Sequence, residues 1–337
     1  MCYSAQVVGD FRKYERYGGR LDLAAYVKVF WSRGKEGDFH KVVPMAVRTA
    51  FDNPQNDQEL EIHNAVLQAY RDVDLVLEQK IGKATEKLLD AKARLAKKWS
   101  KTAEKDKLSA HNAISDLQAQ KAELGVHAAN DGWTRIWPGH YTPVMIRDPE
   151  TGQRVVAPMR YRARPLGFTL QDEKDKPGCY NARKSSLRTV WRGIFGVSHG
   201  VILASRFYES VKRNDFEHRA LAPGESPRKI EIVFSPEPAQ DMFLACIWRY
   251  VVPEDPTEAP FYGVAAITRD PPPEVSYAGH DRCVIPIRPE NIDAWLNPDP
   301  KNLKVMMAIL DDPIDAVYQA ELVPKKGDQE SQSSEIR

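Results

Sequence analysis

Residues 59–125 contain no proline, and only Gly82 and Gly125 stand among them as helix breakers. Apolar side chains recur at helical spacing: Ile62, Val66, Tyr70, Val73, Leu77, Ile81, Ala84, Leu88 and Leu95, then Leu108, Ile114, Leu117 and Leu124. Lys, Glu, Asp and Gln fill the positions between. The pattern predicts a long helix, a polar turn near residues 101–107, and a second helix folding back as an antiparallel hairpin. A segment of this kind either recruits a protein partner or stands as an ordinary solvated hairpin.

The flanks read differently. A strand is expected from Cys2 to Val8, and Leu21, Leu23, Ala24, Tyr26, Val27 and Phe30 follow at helical spacing. From residue 131 onward aromatic, Pro, Gly and β-branched residues dominate. Strand-like runs lie at 142–146, 153–157, 200–204, 229–234, 243–250 and 262–267, separated by turn signals such as Asp148-Pro149-Glu150-Thr151-Gly152. Residues 291–296 and 301–310 read as helical. The segment 324–337 is charged, rich in Ser and Gln, and expected to be disordered. The expected fold is therefore α+β. One domain, residues 1–58 and 126–323, is built around a barrel-like mixed sheet, and 59–125 is an inserted helical hairpin.

Charge is balanced, with 48 basic and 47 acidic side chains in 337 residues, so any nucleic-acid site has to be a local patch. Cys2, Cys179, Cys246 and Cys283 are far apart, with no zinc spacing; no metal or other cofactor is expected. The thiols, the lack of a signal peptide and the lack of a long apolar run point to a reduced, cytoplasmic protein without a membrane span.

Cys2 directly follows Met1. Cys is small enough for methionine aminopeptidase to expose it. A free α-amine, with an ordinary pKa of about 7.7–8.0, would then stand beside a thiol of about 8.5. That pair can attack an aldehyde twice, the amine forming an imine and the thiol closing a five-membered thiazolidine. An internal cysteine cannot.

Several segments, in order, resemble the SRAP family (SOS response-associated peptidase domain), whose members attach covalently to abasic sites in single-stranded DNA. They are Met1-Cys2, the run Trp133-Thr134-Arg135-Ile136-Trp137-Pro138-Gly139, Ala157-Pro158-Met159-Arg160-Tyr161, Asn181-Ala182-Arg183, Phe207-Tyr208-Glu209, and Gly279-His280-Asp281-Arg282-Cys283-Val284-Ile285-Pro286 followed by Trp295-Leu296. The chain departs from the family pattern at Arg206 and Ser210 around Phe207-Tyr208-Glu209, at Lys184-Ser185-Ser186, and at Tyr3 and Ser4 after Cys2.

The resemblance implies Cys2, Asn181, Glu209 and His280 as catalytic residues. Glu209 suits proton transfer beside the α-amine, and His280 suits ring opening and imine chemistry near neutral pH. Asn181 can orient the amine or a sugar hydroxyl. Arg183, Arg160, Arg162, Trp137 and Pro138 would bind the strand, guanidinium groups on phosphates and aromatic faces on bases. Arg135, Trp133, Tyr161 and Arg164 belong to the same aromatic and basic run.

Three functions stay open from sequence: capture of abasic sites in single-stranded DNA, with strand cleavage through the same imine; an N-terminal-nucleophile hydrolase or autopeptidase, in which the Cys2 thiol attacks an amide; and a binding module in which Cys2 is idle.

Overall fold

The computed structural model describes residues 4–124, 133–176, 178–256, 258–314 and 316–324. Two compact units divide the chain, one of residues 22–131 and one of residues 1–21 with 132–337.

The first unit is helical. Helix α1 (Leu23–Glu36) starts where the Asp22 carboxylate accepts the Ala25 N–H at 3.0 Å, and it ends at Gly37, whose φ of 71° closes the last turn. A Cβ on Gly34 would stand 2.7 Å from Ala69 Cα, so α1 packs nearly backbone to backbone on α2 (Asp57–Lys97). Tyr26, Phe30, Phe39 and Phe51 fill the space beside that contact edge to face, with centroids 5.2–6.1 Å apart.

Helix α2 is 41 residues long, about 60 Å at about 1.5 Å per residue. Asn56 caps it by accepting the Glu59 N–H at 2.9 Å, and the Glu59 carboxylate reaches back to the Gln55 N–H. Ser100 caps α3 (Lys101–Glu123) in the same manner. Arg94 pairs with Asp106 near the turn, and Lys121 pairs with Asp74 and Glu78 further down, so α2 and α3 are antiparallel, as expected.

Two details differ from expectation. The turn is at residues 98–100, because Ser100 can cap a helix and the lysine-rich stretch after it holds no breaker. The far half of the seam is closed by Ala84, Ala91, Ala103 and Ala110, while Leu108 of the expected pattern is exposed. Small side chains let the two helices approach, and Leu108 falls on an outward face.

In the second unit thirteen strands of the described residues join in one sheet: β1 (Ser4–Val8), β2 (Arg20–Leu21), β3 (Trp133–Ile136), β4 (Tyr141–Arg147), β5 (Arg154–Tyr161), β6 (Asn181–Arg183), β7 (His199–Lys212), β8 (Lys229–Glu237), β9 (Met242–Val251), β10 (Phe261–Arg269), β11 (Cys283–Val284), β12 (Pro286–Ile287) and β13 (Val317–Leu322). The pairings β7–β4, β4–β5, β5–β10, β10–β9 and β9–β7 close a ring, with β5 and β10 parallel. This is the mixed, barrel-like α+β architecture expected.

Strand β7 explains much of the site. Its first six residues, His199–Ala204, lie between β4 and β9 and are buried on both faces. Beyond Arg206 the strand leaves the ring and pairs with β1 and β8 instead. Burial there alternates, so Phe207, Glu209 and Val211 face inward while Arg206, Ser210 and Lys212 face solvent. Cys2, Tyr3 and the tail after residue 324 lie outside the described residues.

His199 locks the start of β7. Its Nε2 accepts the Gly196 N–H at 2.8 Å, and its Nδ1 donates to the Trp295 carbonyl at 3.2 Å. The ring lies against Phe195 and Trp295, and burial pushes its pKa from 6.5 down to about 3. The unfolded chain takes up this proton below about 6.5 while the native state refuses it until about 3. Stability is therefore complete above about 6.5 and should fall on acidification by up to about 1.4 kcal/mol per pH unit. Urea midpoints at pH 7 and pH 5 should differ accordingly, and His199→Gln should flatten that dependence.

Candidate functional site

Glu209 is fully buried, on the face of β7 that otherwise carries Phe207 and Val211. A carboxyl group is costly there unless something answers it. His280 does so, its Nε2 lying 3.2 Å from Glu209 Oε2. The imidazole is held by a turn after α5 (Pro273–Tyr277), where Gly279 takes φ 87° against the backbone and side chain of Asp215. Its Nδ1 lies 2.8 Å from the Arg282 carbonyl, which can only accept, so Nδ1 carries a hydrogen.

That assignment has a consequence for Nε2. In a neutral ring with Nδ1–H, Nε2 is an acceptor, and Glu209 Oε2 is an acceptor when ionised. The 3.2 Å contact is therefore a hydrogen bond only when a proton lies between the ring and the carboxyl. Burial pushes the His280 imidazole below its ordinary 6.5, to about 4, which opposes a permanent imidazolium. The pair can donate a proton to one atom and take one from another.

The start of β1 lies beside this pair. Ser4 is in register with Tyr208, the residue before Glu209. The buried Ser4 hydroxyl accepts from Arg135 Nε at 2.8 Å and Nη2 at 2.6 Å. Arg135 also pairs with Glu231, and its guanidinium is stacked 4.1 Å from the Trp137 ring and 3.7 Å from the Tyr208 ring. Arg135 thus clamps β1, β3, β7 and β8 together, where sequence grouped it with a nucleic-acid groove. Trp137 and Pro138 are half-buried in the turn that follows β3.

Asn181 and Arg183 lie on β6, alongside β10. Arg183 is in register with Thr268, which on its other side meets Val284 of β11, just after His280. Asn181 is buried, and its Oδ1 is 3.4 Å from the Tyr161 hydroxyl. Arg183 makes an exposed pair with Asp270 at 2.9 Å, worth at most about 1 kcal/mol, which a phosphate could replace at small cost.

Arg160 and Arg162 are placed differently. Together with Arg164 they project from β5 and its continuation onto Glu173, a buried residue of α4 (Leu170–Asp175). Arg160 Nη2 is 2.8 Å from Glu173 Oε2, and its guanidinium lies 3.7 Å from the Phe261 ring. Separating such a buried pair costs about 3–5 kcal/mol. Arg162, at 3.8 Å from Glu173, is held far more loosely. Three arginines at alternate positions of one strand signal an acidic partner as readily as a phosphate, and Glu173 is that partner here.

Cys2 lies outside the described residues. Among the described residues, no group of His, Cys, Asp and Glu is arranged to hold a metal ion, and no helix is long and apolar enough to cross a membrane.

Residues 98–326 match the family described as SOS response associated peptidase (SRAP). The chain belongs to the SRAP family. This membership associates it with the response to DNA damage and with peptidase-like chemistry. The matched span includes Asn181, Glu209 and His280 and excludes Cys2. Solved structures resembling the SRAP chain include a protein from Bordetella bronchiseptica (16% identity, TM-score 0.43, covering 57% of this chain and 87% of that one). Others are a protein from Bacteroides thetaiotaomicron (15%, 0.45, 58% and 79%) and a phage-related protein from Bordetella bronchiseptica (19%, 0.41, 60% and 86%). No curated protein matches the chain.

Proposed function

We propose that this SRAP protein captures abasic sites in single-stranded DNA through Cys2, exposed at the terminus by removal of Met1. The observation that carries the reading is the buried Glu209–His280 contact at 3.2 Å, one register position from the start of β1. Covalent geometry alone keeps Cys2 Cα within about 7 Å of Ser4 Cα.

The chemistry follows from groups of ordinary reactivity. The ring-opened abasic sugar offers an aldehyde at C1′. The α-amine of Cys2 adds to it, and the resulting hydroxyl leaves as water once it is protonated. The thiol then adds across the C=N bond, its proton passing to nitrogen, and the thiazolidine is complete without any oxidant or reductant. The proton shared by Glu209 and His280 serves ring opening and water loss, and the pair regains it from the amine. Asn181 orients the sugar, and Arg183 exchanges Asp270 for a phosphate. Arg162 is the second candidate for a phosphate contact. Arg160 orders the loop through Glu173, and Trp137 and Pro138 face the bases. Cleavage of the strand from the imine, by loss of a C2′ proton, is a branch of the same path.

An oligonucleotide with one abasic site tests this directly. Incubation with the full chain should give a species that survives heat and denaturant, faster with single strands than with the paired duplex. Amide turnover without any adduct would favour the hydrolase reading that the family's description suggests. Absence of both activities would leave Cys2 without chemistry.

A further inference from the structure

The hairpin tip concentrates the positive charge of a nearly neutral molecule. Residues 80–107 carry ten Lys and Arg side chains against four Asp and Glu. With 48 basic and 47 acidic residues in the whole chain, thirty-eight and forty-three remain elsewhere. The tip therefore bears a net +6 and everything else a net −5.

Much of this charge is not neutralised locally. Arg94 is pinned by Asp90 and Asp106, and Lys107 pairs with Glu104. Among the described residues no ion pair engages Lys80, Lys83, Lys87, Lys97, Lys98 or Lys101, and all six are exposed. Lys80, Lys83 and Lys87 share one face of α2 at helical spacing. They border an open groove of about 900 Å³ between the two helices, whose lining also holds Glu86, Asp90, Arg94 and Asp106 beside Ala84, Ala110 and Ala113. At the turn, between Lys98 and Lys101, the Trp99 side chain is 72% exposed.

A lysine-rich helix kept only for solubility needs no tryptophan at its tip. Cations in a row beside an exposed aromatic ring are the chemistry of single-strand binding, with phosphates on the ammonium groups and a base on the ring. A membrane surface would need a continuous apolar face. Here Ala84, Ala91, Ala103 and Ala110 are buried in the seam, and the exposed apolar side chains of the tip, Leu89, Trp99 and Leu108, stand among ten lysines and arginines. We infer that the tip of the α2–α3 hairpin is a nucleic-acid contact that holds single-stranded DNA, through its lysines and Trp99. It binds undamaged strands as well and does not depend on chemistry at Cys2.

The test uses the full chain and a fluorescent, undamaged oligothymidine, followed by anisotropy across a salt series. Changing Lys80, Lys83, Lys87, Lys97, Lys98 and Lys101 together to Gln should weaken binding at least tenfold near 0.1 M salt. It should also flatten the slope of log affinity against log salt by about 2–4, at about 0.7 per phosphate. The same six changed to Arg should keep both. Trp99→Ala should weaken binding at least about fivefold, and it decides the matter if the six-Gln variant loses helicity. Unchanged affinity and slope in the six-Gln variant would overturn the inference. So would tighter binding to duplex or to anionic phosphatidylserine vesicles than to the single strand. The rate of adduct formation at saturating abasic oligonucleotide should stay at the wild-type value in these variants, which separates failure of the hairpin contact from failure of the capture chemistry.

Discussion

Cys2→Ala is expected to abolish the heat-stable adduct with abasic DNA completely. The exposed Ala amine can still form an imine, but no thiol is present to add across it, and the imine hydrolyses when the protein is denatured. Slow strand cleavage should persist, because the imine by itself acidifies the C2′ proton. Trapping with borohydride should therefore recover a crosslink from this variant, while incubation without reductant should not. A stable, unreduced adduct from Cys2→Ala would rule out the thiazolidine.

Glu209→Gln should slow adduct formation by about 10²–10⁴, the usual contribution of a positioned acid–base group. The amide fills the same space on β7, so the sheet should fold, but it cannot give up or take up a proton 3.2 Å from His280 as a carboxyl can. Binding to undamaged single strands should hardly change. His280→Ala should slow the reaction too. Each change disables the same shared proton, so the double variant should be little slower than the worse single one. A wild-type rate from both single variants would make the pair structural.

The hairpin was legible in the sequence because its apolar residues follow one period over a stretch free of proline. Its turn was displaced because composition marked residues 101–107 as polar, whereas the decisive feature is one capping side chain, Ser100. The leucines of that segment misled for a related reason. Close helix packing selects alanine, and a leucine at the same period can face water, as Leu108 does.

In the sheet, the long buried runs of β4, β5, β8, β9 and β10 stood out, and β2, β6, β11 and β12 were too short to carry any pattern. Strand β7 showed only its first half, because a continuous apolar run gives way to alternation at Arg206 where the strand leaves the ring. Read without the resemblance, Glu209 passes for a partly exposed residue. The signal lay in its neighbours: Phe207 and Val211 share its face, so a carboxyl group had been placed on the apolar side of a strand. The partner of Arg160 and Arg164 was harder to find. Glu173 comes from a short helix whose approach to β5 no local pattern announces.

The central claim is a bond between the terminal residue and the lesion, and peptide mapping of the adduct by mass spectrometry tests it most directly. The account predicts an N-terminal peptide that begins at Cys2, lacks Met1, and carries the sugar remnant with the loss of one water, with both amine and thiol blocked. An adduct mapped to a lysine, or to a chain that retains Met1, would contradict it.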